Sequence, residues 1–256
     1  MLETQSLTIR FGGHVAVNDV SCSYAPGTLT AIVGPNGAGK TTYFNLISGQ
    51  LRASAGSVRL NDRDLTPLSA PARMHAGLGR AFQLTQLFPR LSVHENVRLA
   101  LQSRQQGMSW RQIRFWRTWD DDRALLARAD ALLERTRLSA RRDHAAADLP
   151  HGDQRKLEIA MLIALEPQVF MFDEPTAGMS VDDVPVVLEL IREIKNDPTK
   201  TILLVEHKMD VVRELADRIV VLHNGQLMAD GDPATVIASP IVQQAYLGMS
   251  PTETPA

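Results

Sequence analysis

The octet Gly34-Pro35-Asn36-Gly37-Ala38-Gly39-Lys40-Thr41 carries residue types, at a fixed spacing, that can hold a polyphosphate. Glycines let the backbone curl until successive N–H groups converge on one anion. A lysine directly after the last glycine reaches the β- and γ-phosphates, and the next hydroxyl can enter a Mg²⁺ shell. Thr42 stands beside it. The loop follows an apolar, strand-like run, Leu29 to Val33, and precedes a helix-like Tyr43 to Ile47. A helix starting there adds the positive end of its dipole. The bland alternative is an ordinary glycine-rich strand-to-helix turn. The octet indicates a nucleotide and leaves open what its hydrolysis would serve.

Phosphoryl transfer also needs a carboxylate for the metal shell and a polar group that orients the attacking water. Asp173 and Glu174 close the apolar run Val169 to Phe172, and a buried strand of an α/β sheet binds ligands beyond its C-terminal end. Asp173 suits the Mg²⁺ shell, and Glu174 suits the water. A second run, Thr201 to Val205, delivers Glu206-His207 to the same edge, where an imidazole could donate to a γ-phosphate. Alone, each of these is ordinary strand-end surface; together with Lys40 they form a hydrolytic constellation.

The elements that must position these groups show in the patterning. Leu7 to Phe11, Val15 to Tyr24 and Leu29 to Val33, broken at Gly12-Gly13 and Pro26-Gly27, read as strands joined by turns, and Ser57 to Leu60 followed by Asn61-Asp62 reads as a further hairpin. From Leu91 to Arg142 glycine and proline nearly vanish, and Ala124, Leu125, Leu126, Ala129, Leu132 and Leu133 recur at helical spacing, which predicts a helical insert. After Pro150 helices and strands alternate, with strands at Val169 to Phe172, Thr201 to Val205 and Arg218 to Leu222. Such alternation implies a mostly parallel sheet.

Composition excludes several classes. The 256 residues suffice for a sizeable core, and 27 basic against 29 acidic side chains leave a net charge of −2, no polycation for nucleic acid. The longest apolar runs fall far short of the roughly 20 residues of a spanning helix. Met1-Leu2-Glu3-Thr4 has no basic n-region or long apolar h-region, so a cytosolic chain is expected. The single cysteine, Cys22, rules out an internal disulfide and reads as a small buried hydrophobe.

From about Leu7 to Gly248 the chain resembles the nucleotide-binding subunits of ATP-binding cassette (ABC) transporters. Gly34 to Thr41 matches their Walker A loop, Val169 to Glu174 their Walker B strand and glutamate, and His207 their switch histidine. Gln83, in Arg80-Ala81-Phe82-Gln83, matches the Q-loop glutamine, which in the family touches Mg²⁺ and the membrane partner; Phe11 matches the aromatic that stacks on adenine. The resemblance implies an α/β fold: a P-loop NTPase (RecA-like) core with an N-terminal antiparallel β-subdomain and an inserted α-helical subdomain. Residues 1–84 and 155–249 would form the ATP-binding core, 85–154 the helical subdomain with the signature segment, and 250–256 a flexible tail. It implies an ATPase using ATP and Mg²⁺, with Lys40, Gln83, Glu174 and His207 catalytic. Phe11, Gly34 to Thr42, His151 and Gly152 would bind nucleotide, the last two that of the opposite subunit. Thr41, Gln83 and Asp173 would hold the metal. Partners would be a second ATP-binding subunit, identical or homologous, transmembrane permease chains and, through them, an external solute-binding protein. The chain would sit on the cytoplasmic face of the plasma membrane.

The family's signature, Leu-Ser-Gly-Gly-Gln, reads here Leu149-Pro150-His151-Gly152-Asp153, matching only at Leu149 and Gly152. Pro150 removes a hydroxyl and an N–H, yet proline is tolerated at a helix start. Asp153 is awkward beside a phosphate unless its side chain turns away and caps the helix. The Leu-Pro-aromatic-Gly form resembles the ATPases of branched-chain amino acid importers, as do the stretches Gly77 to Val93 and Gly231 to Gly248. Ser180, in Ala177-Gly178-Met179-Ser180, stands where many cassettes have aspartate. Trp110, Arg111, Arg114, Phe115, Trp116, Arg117 and Trp119 suggest either a docking surface or aromatics packed on their own core. Other solutes (urea, amides, aromatic amino acids), an ATPase acting on nucleic acid or ribosomes, and a scaffold that does not hydrolyse remain open at this point.

Overall fold

The computed structural model describes residues 1–81, 87–105 and 123–247. Gln83, the tryptophan-rich segment from Trp110 to Trp119 and the tail from Ser250 lie outside the described residues. The chain forms two compact units: Met1–Leu78 with Gln168–Glu174 and Lys195–Ala256, and Gly79–Pro167 with Pro175–Ile194.

In the first unit β1 (Leu2–Phe11) and β2 (His14–Tyr24) form an antiparallel hairpin over Gly12-Gly13, and β1 pairs on its other edge with β4 (Ala55–Leu60), which turns through Asn61-Asp62 into β5 (Arg63–Asp64). This is the expected antiparallel β component. The second sheet has the order β10-β9-β3-β8-β7-β6, from β3 (Leu29–Val33), β6 (Leu78–Ala81, of which only Leu78 belongs to this unit), β7 (Val169–Asp173), β8 (Thr201–Val205), β9 (Arg218–His223) and β10 (Gln226–Gly231). β3, β7, β8 and β9 run parallel and β10 is antiparallel to β9. Every residue of β3, β7 and β8 is buried, as strands covered on both faces require. Register places Asp173 beside Val205 and Ile32 beside Val205, so the chain leaves β3, β7 and β8 on one edge.

Helix α1 (Lys40–Ser48) buries Tyr43, Phe44, Leu46 and Ile47 in the core of this unit. It ends at Gly49 in the left-handed region. Arg73, buried on α2 (Ala70–His75), donates through Nη1 to the carbonyls of Leu46 and Ile47 at 2.7 Å each, satisfying the helix end that water cannot reach. Tyr43 keeps its buried hydroxyl paired with Thr4 Oγ1 at 2.8 Å and Tyr24 Oη at 3.0 Å.

In the second unit α3 (Val93–Gln105), α4 (Arg123–Arg135) and α5 (His151–Leu165) pack Val93, Val97, Leu101, Leu125, Ala129, Leu133 and Leu157 together. The predicted stripe on α4 is borne out at Leu125, Ala129, Leu132 and Leu133; Ala124 is exposed. α3 begins with a capping box, Ser92 N–H donating to Glu95 Oε2 at 2.7 Å and Glu95 N–H to Ser92 Oγ at 3.1 Å.

Candidate nucleotide site

Beyond β3 the chain turns through the glycine-rich octet into α1, and the turn is possible only with glycine. A Cβ on Gly34 would lie 2.2 Å from the Leu222 carbonyl oxygen. Gly39, the N-cap of α1, has φ +94°, and a Cβ there would stand 2.6 Å from the Ala16 carbonyl oxygen. The helix has no side-chain cap and no acidic residue in its first turn. Its first N–H groups have no intrahelical acceptor and open towards a cavity of about 510 Å³. That is the size of a small-molecule site.

The cavity is lined by Asn36 to Thr42, by Glu174, by His14 to Ala16 at the start of β2, and by Asn224 and Gly225. Lys40 Nζ folds back and donates to the carbonyls of Gly34 at 2.6 Å and Pro35 at 3.0 Å. Burial pushes the Lys40 pKa down, and the carboxylates of Glu174 and Asp173 work against that shift. An ammonium whose hydrogen bonds go to the neutral carbonyls of Gly34 and Pro35 can exchange them for the charged oxygens of an incoming polyphosphate.

Asp173 ends β7 and is 2 % exposed. Glu174, next along, has φ +49°, unusual for a non-glycine residue, and its N–H donates to the Val205 carbonyl at 2.9 Å. That turn aims its side chain into the cavity. His207 Nδ1 lies 3.7 Å from Glu174 Oε1 and 3.8 Å from Glu206 Oε2. Glu206 is fully buried and accepts the N–H groups of His207 at 2.9 Å and Lys208 at 3.2 Å. The carboxylate thereby fixes the loop that presents the imidazole. Among the described residues no cluster of three or more His, Cys, Asp or Glu could hold a metal. The hydroxyl of Thr41 and the carboxylate of Asp173 are hard oxygen donors of the kind Mg²⁺ takes while keeping waters and phosphate oxygens as its other ligands.

The structure thus brings Asn36 to Thr42 and Glu174 to one cavity, with Gly34 and Pro35 behind it. Phe11 ends β1, pairs across the hairpin with His14, and is 49 % exposed; it is not part of the lining, whereas His14 is. The role of Asn224-Gly225 was not foreseen. Both have positive φ, Gly225 N–H donates to the Ala38 carbonyl at 3.0 Å, and its carbonyl accepts Asn18 N–H at 2.8 Å. The signal was present, since Asn-Gly between apolar runs marks a tight hairpin. Glu206 was legible only as an acidic residue after the apolar run Ile202 to Val205.

In the second unit Pro150 is the N-cap of α5, with φ −55°, and its carbonyl accepts the first helical bond, from Gln154 N–H at 3.0 Å. His151 opens the helix, is exposed, and stands against Gly178. Asp153 does turn away, towards Lys156 Nζ at 2.6 Å, and not into a cap.

A β3-loop-α1 phosphate cradle on a parallel sheet, with a carboxylate and a histidine on the neighbouring strand ends, is the architecture of a nucleotide-hydrolysing cassette. The family model described as ABC transporter matches residues 17–177. This chain belongs to the ABC transporter family and is an ATP-binding, ATP-hydrolysing subunit of a transporter. It is 38 % identical to the high-affinity branched-chain amino acid transport ATP-binding protein LivG of Escherichia coli (strain K12), over 97 % of this chain and 98 % of the relative. It is 34 % identical to BraF, of the same description, from Pseudomonas aeruginosa, again over 97 % and 98 %. The lipopolysaccharide export system ATP-binding protein LptB of Acidithiobacillus ferridurans is 32 % identical over 97 % of both chains. A crystal structure of an ABC transporter ATP-binding cassette in its ADP conformation superposes with TM-score 0.80 at 30 % identity, over 97 % of this chain and 99 % of that one.

Proposed function

We propose that this chain is the energy-coupling ATPase of an importer for branched-chain or related amino acids. The observation that carries the reading is the 38 % identity to the LivG transport protein along nearly the whole of both chains. The signature form Leu149-Pro150-His151-Gly152 agrees with it.

In this reading the N–H groups from Asn36 to Thr42 take the phosphates, and Lys40 leaves the Gly34 and Pro35 carbonyls for the β- and γ-oxygens. Thr41, Asp173 and Gln83 would hold Mg²⁺, which would neutralise phosphate charge. Glu174 orients the water whose oxygen bonds to the γ-phosphorus as the bridging oxygen leaves with ADP, and His207 donates to the transferring group. Positioning and preorganised charge do most of the work. Phe11 or His14 flanks the base. His151 and Gly152 face the ATP of a second subunit, identical or homologous. Closure on ATP then drives permease chains, which meet the external binding protein. No described helix is long and apolar enough to cross a membrane, consistent with a peripheral place on the cytoplasmic face. Nucleic acid is not a partner.

Tagged full-length chain isolated from native membranes tests this. It should bring permease chains with it, and the complex should hydrolyse ATP faster with a leucine-loaded binding protein. Stimulation by lipopolysaccharide and not by leucine, or recovery of ribosomes or nucleic acid without permease chains, would overturn the importer reading.

A further inference from the structure

The N-terminal end of α5 carries a charge that a phosphate-facing helix end should not show. Asp153 sits in its first turn, where a carboxylate suits the helix dipole but repels an arriving anion. Its Oδ1 is 2.6 Å from Lys156 Nζ, and the pair is largely buried, with side chains 16 % and 7 % exposed. The same ammonium donates to Asp183 Oδ1 at 2.9 Å. Asp183 Oδ2 in turn accepts from Ser180 Oγ at 2.7 Å. Lys156 therefore ties the start of α5 to the turn that holds Ser180 and Asp183. Arg141 Nε, on a more exposed side chain, forms a longer ion pair with Asp153 Oδ2 at 3.9 Å, too far for a hydrogen bond.

Steric fit agrees with the tie. A Cβ on Gly152 would lie 2.6 Å from Asp183 Oδ2, so the carboxylate sits close against the backbone at that point. A Cβ on Gly178 would be 3.3 Å from His151 Nε2, so the same turn also backs the imidazole. Burial pushes the Lys156 pKa down, but the hydrogen bonds it donates to Asp153 and Asp183 and their charges outweigh it and the net shift is upward. The residue remains an ammonium with two carboxylates on it.

We infer that Lys156 is a positioning residue for hydrolysis: it cancels the Asp153 charge and holds the start of α5 against the Ser180–Asp183 turn, so that His151 and Gly152 can meet a phosphate. This rests on the reading that α5 completes the site of a second subunit. The chemical partner is the terminal phosphate of ATP.

The test is steady-state ATP turnover of the full chain against ATP and chain concentration, for the parent, Lys156→Met, Lys156→Arg and the double variant Asp153→Asn/Lys156→Met. Lys156→Met should lower kcat on the order of tenfold, the scale of one uncompensated charge at a helix end. Lys156→Arg should keep most of the rate, and removing the Asp153 charge in the double variant should restore much of what Lys156→Met lost. Should Lys156→Met fail to fold, Lys156→Gln replaces it in both comparisons. A parent-like single variant, or a double variant as slow as the single, would overturn the inference, because lost packing cannot be repaired by deleting a charge elsewhere. The shared-site reading is judged separately: the parent's rate per chain should rise with chain concentration, and a flat dependence would sink that reading whatever the variants do.

Discussion

The proposed function draws on two helix starts, and they are built in opposite ways. At α1 a glycine N-cap, no acidic residue in the first turn and the buried Lys40 make a positively biased cradle. At α5 the N-cap is Pro150, the first turn holds Asp153, and the nearby cation, Lys156, is fully engaged by two carboxylates. The first end can capture an anion by itself. The second has no excess positive charge and offers backbone N–H groups and an imidazole. On the proposed function, binding energy belongs to the cradle, and the α5 end adds only what is needed once nucleotide is in place.

The largest expected effect lies on the cradle side. Glu174→Gln keeps size and hydrogen bonding but removes the carboxylate that orients water, so turnover should fall about 100-fold or more while ATP affinity stays within about twofold. Radiolabelled ATP turnover beside equilibrium binding checks this. A variant that hydrolyses like the parent would remove Glu174 from its role and blur the contrast with α5.

The smallest effect sharpens the α5 side. Hydrogen bonds from Ser180 and Lys156 hold the Asp183 carboxyl below its ordinary pKa. A depressed carboxyl stabilises the fold above its unfolded pKa, and that contribution is lost as pH falls through the folded value. Ser180→Ala should bring the folded pKa back up, so the variant's melting temperature should trail the parent's near neutral pH. The gap should close below the ordinary carboxylate range near pH 4. Thermal melts across that range decide it; a gap independent of pH would mean that Ser180 acts by packing alone.

Much of this contrast was readable before any fold was seen, but unevenly. The octet from Gly34, the strand ends at Asp173 and His207 and the α4 stripe at Leu125, Ala129, Leu132 and Leu133 are local patterns, and the structure places each at the expected kind of position. β10 was missed because Gln226–Gly231 is a part-exposed edge strand whose polar and apolar residues do not alternate. The support that Asn224-Gly225 lends to Ala38 and the bridge from Lys156 to Asp183 join residues far apart in the chain, which no spacing rule reaches. Asp153 could be seen as a problem for a phosphate, and Lys156 three residues on was within reach of a helical spacing rule; the tie to Asp183 was not, because Asp183 lies outside the motif.

The most direct test of the division between the two helix starts is calorimetric ATP binding to the full chain in two variants. Lys40→Met should abolish measurable binding, and His151→Asp, which adds a carboxylate at the start of α5, should bind ATP with the parent's affinity and one site per chain. Binding lost in His151→Asp, or kept at parent strength in Lys40→Met, would contradict it.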